Sequence, residues 1–586
     1  SLALVASRMK AVCDKGGEGI LPFSYGGSNG YLSQDTTDAR LFYRLGASRL
    51  ARTVCAAPSG RAALGLYGKM PGIALQDYAQ ARLILLWGVN PSVSGIHLVP
   101  FIQQAQKRGA RLVVVDPRRT RLAESSDLHL AAHPGTDLPL ALAVIRWFFE
   151  HGFEDSEFLA AHATGVEELR RRAEPWTLER AASETRVSAS DIERLASMYA
   201  SSSPAALRCG WGLERNRNGG SAVAAVLALP AVAGKFGVRG GGYTMSNSAA
   251  WKEIDPLAAA AAQAPPVREI NMNRLGSALA VKGSGSVDLL FVYNSNPLVT
   301  IPDQQSVRAG LEREDLFTVV FDPVMTDTAR YADVVLPAAT FLERTELSRG
   351  YGAFVLQQAE PVIAPVGEAR PNHEVFAELC RLTGVAKPGD PETASELTES
   401  MLATSPRAAT LRRNLDETGV AFPTEPAPVQ FVDVFPRTSD RKIHLVPETL
   451  DTEAPHGLYH YQPDPGTDRY PLALISPATD KTITSTLGEL RRGPVPLEIH
   501  PSDASSRGIA DGDRVRVFNA LGEVRCRTRW NDLLKPGVVY LPKGLWSHNT
   551  ETGTAATALS PDSLTDLGGG ACFNDARVEV EKAGEA

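Results

Sequence analysis

Cysteine is scarce. The chain has six in 586 residues, at Cys13, Cys55, Cys209, Cys380, Cys526 and Cys572, and no two share a C-x-x-C spacing. That excludes a disulfide scaffold, a zinc ribbon and a local iron–sulfur motif. Long hydrophobic runs are lacking too. Pro230 and Lys235 break the run after Ser221, and Arg146 breaks the run after Leu138. Neither reaches the roughly 18–20 apolar residues of a membrane span. There is no basic excess either: the formal net charge is −7, against a general nucleic-acid binder. The first ten residues hold no initiator Met, signal peptide or twin-arginine segment. Leu2, Val5, Ala6 and Met9 fit a helix already under way, with no N-cap before it. The expectation is that an N-terminal piece is missing. The compartment stays open, with cytoplasm favoured and periplasm allowed.

What is present is enough chain for about four domains of roughly 150 residues. Arg82-Leu-Ile-Leu-Leu-Trp-Gly-Val-Asn-Pro91 predicts a strand buried on both faces. An amphipathic segment over Ile102–Arg108 stops at Gly109, and Arg111-Leu-Val-Val-Val-Asp-Pro117 predicts a second strand. Strand, helix, strand makes a βαβ unit. The plan recurs in Asp288-Leu-Leu-Phe-Val-Tyr-Asn-Ser-Asn-Pro297 and Leu316-Phe-Thr-Val-Val-Phe-Asp-Pro323. Asn90 precedes Asp116 by 26 residues, as Asn296 precedes Asp322, and Asp127 and Asp333 each follow 11 residues later. This is an internal repeat of a whole α/β domain. From about Tyr470 short alternating strands begin, with a hairpin signal at Asn519-Ala-Leu-Gly522 between Arg514–Phe518 and Val524–Trp530. This part predicts a β-barrel. Ala386–Pro428, rich in Pro, Glu and Thr, predicts one helix plus loops.

In open α/β sheets ligands bind beyond the carboxyl ends of the strands. Asn90, Asp116, Asn296 and Asp322 stand there, although Asn-Pro and Asp-Pro also simply end strands. His133-Pro-Gly-Thr-Asp137 puts Asp137 before an apolar helix, where plain capping is the simpler role. The loop Cys209–Gly220 carries Gly210 and Gly212, which allow close backbone approach, while Arg215, Arg217, Lys235 and Arg239 could meet phosphates. Cys55 precedes a Gly- and Ala-rich helix start. A thiolate there is a soft-metal ligand, and a buried structural cysteine is the alternative.

Together and in order, these pieces resemble the molybdopterin oxidoreductases of the dimethyl-sulfoxide-reductase type. The likeness runs through Leu-Leu-Trp-Gly-Val-Asn-Pro91, Val-Val-Asp-Pro-Arg118, His-Pro-Gly-Thr-Asp137, Asn-Ser-Asn-Pro297 and Thr-Ala-Arg-Tyr-Ala-Asp-Val-Val-Leu-Pro337. It continues in Leu-Glu-Ile-His-Pro-Ser-Asp-Ala504, Gly-Ile-Ala-Asp-Gly-Asp513 and Lys-Pro-Gly-Val-Val539. The resemblance implies an α/β fold, with two related nucleotide-binding domains of parallel sheets and flanking helices, plus a C-terminal β-barrel. The implied boundaries are 1–50 with 285–450, 51–284, and 468–583. It implies one molybdenum or tungsten held by two molybdopterin guanine dinucleotides. Cys55 would be the metal ligand. Asn90, Asp116, Arg118 and Asp137 would serve one dinucleotide, and Asn296, Asp322 and Thr328 the other, with Gly210 and Gly212 as further cofactor-binding candidates. In the barrel Thr484, Ser485, Thr486, Asn549 and Phe573 are candidates, and His97, Arg61 and Tyr25 would lie near the substrate funnel.

Two features depart from the family pattern. Its N-terminal 4Fe–4S domain has no counterpart here, so the cluster is expected in a missing segment or a partner subunit. Formate dehydrogenases of the group place a His after the metal ligand, whereas Ala56 follows Cys55, which lowers formate as substrate. The implied activity is two-electron redox chemistry on a small-molecule substrate, with an electron-transfer partner and neither nucleic acid nor a direct membrane span. The alternative is an inactive homologue serving as scaffold or electron wire in a respiratory complex. A two-domain nucleotide-dependent enzyme without metal leaves the barrel motifs unexplained.

Overall fold

The structure, a computed structural model, describes residues 1–27 and 29–584. The chain forms two compact units, Ser1–Arg52 with Ala250–Pro426, and Thr53–Ala249 with Ala427–Ala586.

In the second unit a five-stranded sheet runs in the order Leu128–Leu130, Arg111–Val115, Leu83–Trp87, Ala205–Cys209, Gly242–Thr244, and all its pairings are parallel. Leu83–Trp87 is buried along its whole length, because helices cover both faces of such a sheet. Helix Val99–Lys107 makes the crossover, and Gly109 at φ +84° ends it. Helix Gly219–Val232 is apolar all round and wholly buried, as expected of a core helix. The strands after Leu83–Trp87 spread first to one side and then to the other. A topological switch point therefore lies between the ends of Leu83–Trp87 and Ala205–Cys209.

The same unit carries a closed barrel of six strands, ordered Leu472–Ile475, Val538–Tyr540, Leu497–Ile499, Glu523–Trp530, Arg514–Phe518 and Arg577–Lys582. The predicted hairpin closes with Asn519 N–H donating to Gly522 O at 3.1 Å. Along Glu523–Trp530, Val524, Cys526 and Thr528 point inward, and Arg525, Arg527 and Arg529 outward. Glu523 pairs with Arg525, and Arg527 donates to Gly512 O, so this basic face is a solvated surface.

The first unit repeats the plan in a parallel sheet ordered Ile20–Ser24, Leu289–Tyr293, Phe317–Asp322, Val334–Pro337. Helix Leu2–Cys13 buries Val5, Ala6 and Met9 as its spacing predicts. The segment expected to hold one helix holds two, Ala394–Ala403 and Ala408–Thr418. Thr393 and Glu396 form a capping box, and Leu397, Met401, Leu402, Leu411 and Leu415 are buried. Those apolar positions outweigh the loop-like composition. Among the described residues no helix is long and apolar enough to cross a membrane.

An ionic knot ties the barrel to the five-stranded part. Asp464 accepts from His133 Nε2, from Arg577 Nε at 2.7 Å and from Gly466 N–H at 2.7 Å. Arg577 directs further donors to Asn574 O and Ala576 O. Burial holds His133 below its ordinary pKa, against the pull of Asp464. Although burial acts the other way, the bonds from His133 and Arg577 hold the Asp464 carboxyl far below the usual carboxylate range. A depressed carboxylate contributes stability above its unfolded pKa, about 3.9, that is lost as pH falls through the folded value. Losing the charge that accepts these hydrogen bonds costs about 1–3 kcal/mol. Asp464→Asn is therefore expected to unfold several degrees earlier than wild type in a thermal scan at pH 7. The gap should narrow as the scans move below about pH 4. Equal midpoints at pH 7 would remove the knot from the account.

Candidate functional site at the sheet switch points

Cys55 lies two residues before helix Ala57–Tyr67, and the residue between them, Ala56, is left-handed at φ +53°. That conformation costs a non-glycine residue about 1–2 kcal/mol. What holds it is Glu214, from the loop after strand Ala205–Cys209. Its carboxylate accepts from Ala56 N–H at 2.7 Å, from Ser59 N–H at 3.0 Å and from the Ser59 hydroxyl. A carboxylate at a helix N-terminus satisfies amides that the helix leaves without partners and sits at the positive end of the dipole. Burial raises the Glu214 pKa, opposed by Arg215 and by these hydrogen bonds. Arg215 Nη2 donates to Cys55 Sγ at 3.7 Å, and its guanidinium lies 5.8 Å from the centre of the Phe573 ring. Burial and Arg215 push the Lys543 pKa down to about 7, against the pull of Cys55 and Glu214. Cys55, Arg215 and Lys543 are half-buried, while Glu214 is buried. Nothing in the sequence singles out Glu214 or Lys543.

Gly210 and Gly212 sit where the two switch-point loops meet. A Cβ on Gly210 would overlap Gly88 O, and one on Gly212 would come within 2.7 Å of it. Instead Gly210 N–H donates to Trp87 O at 2.8 Å and Gly212 N–H to Gly88 O at 2.9 Å. The close approach these glycines permit is to the neighbouring loop.

At the strand ends the repeat extends to single hydrogen bonds. Asn90 and Asn296 each N-cap a short helix, Pro91–Ser94 and Pro297–Thr300. Asp116 Oδ1 accepts from Arg118 N–H at 2.9 Å, as Asp322 Oδ1 does from Val324 N–H at 3.1 Å. Asp127 and Asp333 each accept a strand amide at 2.7 Å, from Leu112 and Thr318. Thr328 donates to Asn296 Oδ1 at 2.7 Å. Among the described residues, Asn90 Oδ1 and Asn296 Nδ2 are buried without a hydrogen-bond partner. Asp137 opens helix Asp137–His151 and accepts the Trp87 indole N–H at 2.8 Å; burial pushes its pKa up to about 6. The Arg118 guanidinium lies 5.0 Å from the centre of the barrel's Tyr540 ring.

The barrel candidates divide. Phe573 lies against Arg215, and its neighbour Asn574 binds Arg215 O and Gly212 O through its N–H and its amide. Asp575 and Asp566 fasten the same loop, accepting from Arg217 and from Gly220 and Ser221 N–H. Asn549 is engaged inside the barrel, with Arg491 O, Gly493 O and Trp546 N–H. Thr484 is left-handed at φ +54°, Ser485 O accepts the Trp546 indole N–H, and Thr486 is exposed. Other basic residues are committed elsewhere, Lys235 to Ala200 O and Arg239 to Asp77. Arg61 pairs with Glu453, His97 is exposed, and Tyr25 stands in the first unit, just after strand Ile20–Ser24.

Residues 1–382 match the family described as molybdopterin oxidoreductase, and residues 476–577 the molydopterin dinucleotide binding domain. The probable oxidoreductase YoaE of Bacillus subtilis (strain 168) is 33% identical, over 99% of this chain and 86% of that protein. The dimethyl sulfoxide/trimethylamine N-oxide reductase of Rhodobacter capsulatus is 26% identical, over 82% of this chain and 68% of that one. Among solved structures, acetylene hydratase from Pelobacter acetylenicus shares the fold, with a TM-score of 0.82 at 21% identity, covering 99% of this chain and 89% of that one. The chain belongs to the molybdopterin oxidoreductase family, in its dimethyl-sulfoxide-reductase-type branch, and is a molybdopterin-dependent oxidoreductase.

Proposed function

We propose that the chain holds one molybdenum or tungsten through two molybdopterin guanine dinucleotides, with Cys55 as the protein ligand to the metal. Its reaction would be a two-electron transfer of an oxygen atom, a sulfur atom or a hydride equivalent on a small substrate. The observation that carries this reading is the Cys55 turn, a half-buried thiol set on a strained residue at the switch point of a parallel sheet. Strain held at such a place is a functional signature.

The residues present fit the group. Asn90 Oδ1 is a buried acceptor and Asn296 Nδ2 a buried donor, both at strand ends. A guanine edge offers donors and acceptors to match. One dinucleotide would belong to the domain proposed at 51–284, served by Asn90, Asp116, Arg118 and Asp137. The other would belong to 1–50 with 285–450, served by Asn296, Asp322 and Thr328. Gly210 and Gly212 would act by shaping the loop, and Phe573 by backing Arg215. Thr484 and Ser485 remain candidates on the barrel, with Asn549 as a brace. Among the described residues no three His, Cys, Asp or Glu side chains converge on a metal position. That suits a metal held by one thiolate and the sulfurs of the cofactor.

When bound, the group supplies a metal that changes oxidation level, which side chains alone cannot do. The chain's own part is positional. Glu214 fixes the backbone around Cys55, Arg215 holds the sulfur by an N–H bond, and the segment around Phe573 braces the loop carrying both. An electron-transfer partner, with a 4Fe–4S cluster in a further segment or another polypeptide, completes the proposal. Relatives named as catalytic subunits support it, since such a name implies further subunits.

Cys55→Ala is expected to abolish turnover while thermal stability and guanine nucleotide content stay near wild type. Full activity would sink the ligand assignment. Glu214→Ala strips acceptors from Ala56 N–H and Ser59 N–H, at a cost of about 1–2 kcal/mol. Its expected signature is a lower melting temperature and a reduced metal content per chain. Wild-type metal content and activity would show that Glu214 does not set the turn.

A further inference from the structure

We propose that two apolar surface segments of the first unit, residues 338–342 and 361–367, form a docking face for a second copy of this chain. The face lies wholly in that unit, whereas Cys55 belongs to the other. None of its residues has a part in the proposed function.

Residues 338–342 follow strand Val334–Pro337 at the edge of the four-stranded sheet, and residues 361–367 return alongside them. Leu342 O accepts from Val362 N–H at 2.7 Å and from Ile363 N–H at 3.1 Å. The buried Glu343 carboxylate accepts from Thr340 N–H and Val366 N–H, both at 2.7 Å. Arg370 N–H donates to Pro337 O and Ala339 N–H to Arg370 O, which fastens the far end. The backbone is thus braced, yet the side chains face water. Val362 is 75% exposed, Phe341 72% and Val366 70%, and Leu342 and Ile363 are exposed as well. Residues 334–342 and 361–367 include no charged side chain, and Glu360 and Glu368 flank the second stretch. An apolar centre with charge kept to the rim is the composition of an interface core. Scattered apolar residues are normal on a surface, but a contiguous group marks a contact site. The five side chains expose on the order of 500 Å² together. Two such faces would remove about 1,000 Å² from water, the size at which specific association begins. Because the segments are already held, docking has no loop to order. The backbone offers a partner little: Pro361 and Pro365 lack an N–H, and the Val362, Ile363 and Val366 N–H groups are engaged. An added strand has no ladder to join, so recognition runs through side chains. A twofold axis sets each face on its equal and closes the assembly at two copies. Glu360 and Glu368 then stand at the rim of both copies, where salt screens their repulsion.

The test is sedimentation of the native, full-length protein at concentrations from about 0.5 to about 100 μM, where mass action shifts a weak dimer. Wild type is expected to pass from monomer to dimer across that range, and to dimerise more tightly as sodium chloride is raised. Phe341→Ser, and Val362→Ser combined with Val366→Ser, should raise the dimer Kd at least about tenfold. Because these side chains already face water, both variants should keep the wild-type melting temperature and cofactor content. Phe422→Ser, at an exposed apolar residue outside the face, should leave the Kd unchanged. A wild type that stays monomeric throughout would overturn the proposal. So would a dimer that the face variants leave intact, or one that Phe422→Ser weakens equally, since the contact would then lie elsewhere or lack specificity. Association that weakens with salt would also overturn it, because charge rather than apolar surface would hold the copies together. A monomer in which Phe341 is shielded from hydroxyl-radical labelling would assign the face to another segment or subunit, and self-docking would fall.

Discussion

One carboxylate organises the site. Glu214 reaches across 158 residues of sequence to Ala56 N–H, and its second oxygen takes Ser59 N–H and the Ser59 hydroxyl. A helix start supplies those donors whatever its sequence, but only a buried acceptor at this place makes the left-handed Ala56 turn tolerable. The turn decides where the Cys55 sulfur points. The following residue, Arg215, is then delivered to that sulfur by chain continuity alone. Everything upstream in the loop serves the same end. The Gly88, Gly210 and Gly212 backbones interlock, so Glu214 leaves the sheet in one direction.

In the repeat, the acids and the asparagines at the strand ends differ in how fully the fold satisfies them. Asp127 and Asp333 are engaged by strand amides, and Asp116 and Asp322 each close a local turn. Each acid has at least one oxygen engaged by a backbone amide. The asparagines behave otherwise: each caps a short helix and keeps one buried amide atom without a partner, an oxygen in Asn90 and a nitrogen in Asn296. A buried polar atom without a partner costs about 1–3 kcal/mol. That cost, borne twice at equivalent places, is what a bound group of matching polarity would offset. The two copies are not chemically identical, because Thr328 occupies the Asn296 oxygen.

Much of this was legible in the sequence. Continuous apolar runs ending in Asn-Pro and Asp-Pro mark the parallel strands, and the equal spacings mark the repeat. The barrel hairpin follows from its alternation and turn. Strand Ile20–Ser24 was not legible, since Pro22 interrupts a short run. Nor was the second helix at Ala408–Thr418, hidden by its composition. In the site, Cys55 is named as a candidate ligand through the family resemblance, since its place before a helix fits a structural thiol as well, but Glu214 could not be named, because a carboxylate in a Gly-rich loop looks solvated until its distant partner is known. Ala56 carries no signal of a left-handed turn. Asn549 looks like a binding residue, yet its amide is consumed by two barrel carbonyls. Long-range partnership, which no local pattern encodes, separates the legible from the hidden.

The measurement that bears most directly on the account is the content of molybdenum, tungsten and guanine nucleotide in the native protein, purified without oxygen. The account predicts one molybdenum or tungsten per chain together with two guanine nucleotides. Iron with neither molybdenum nor tungsten, or no metal at all, in protein matured with cofactor available, would contradict it and leave Cys55 a structural thiol on an unexplained turn.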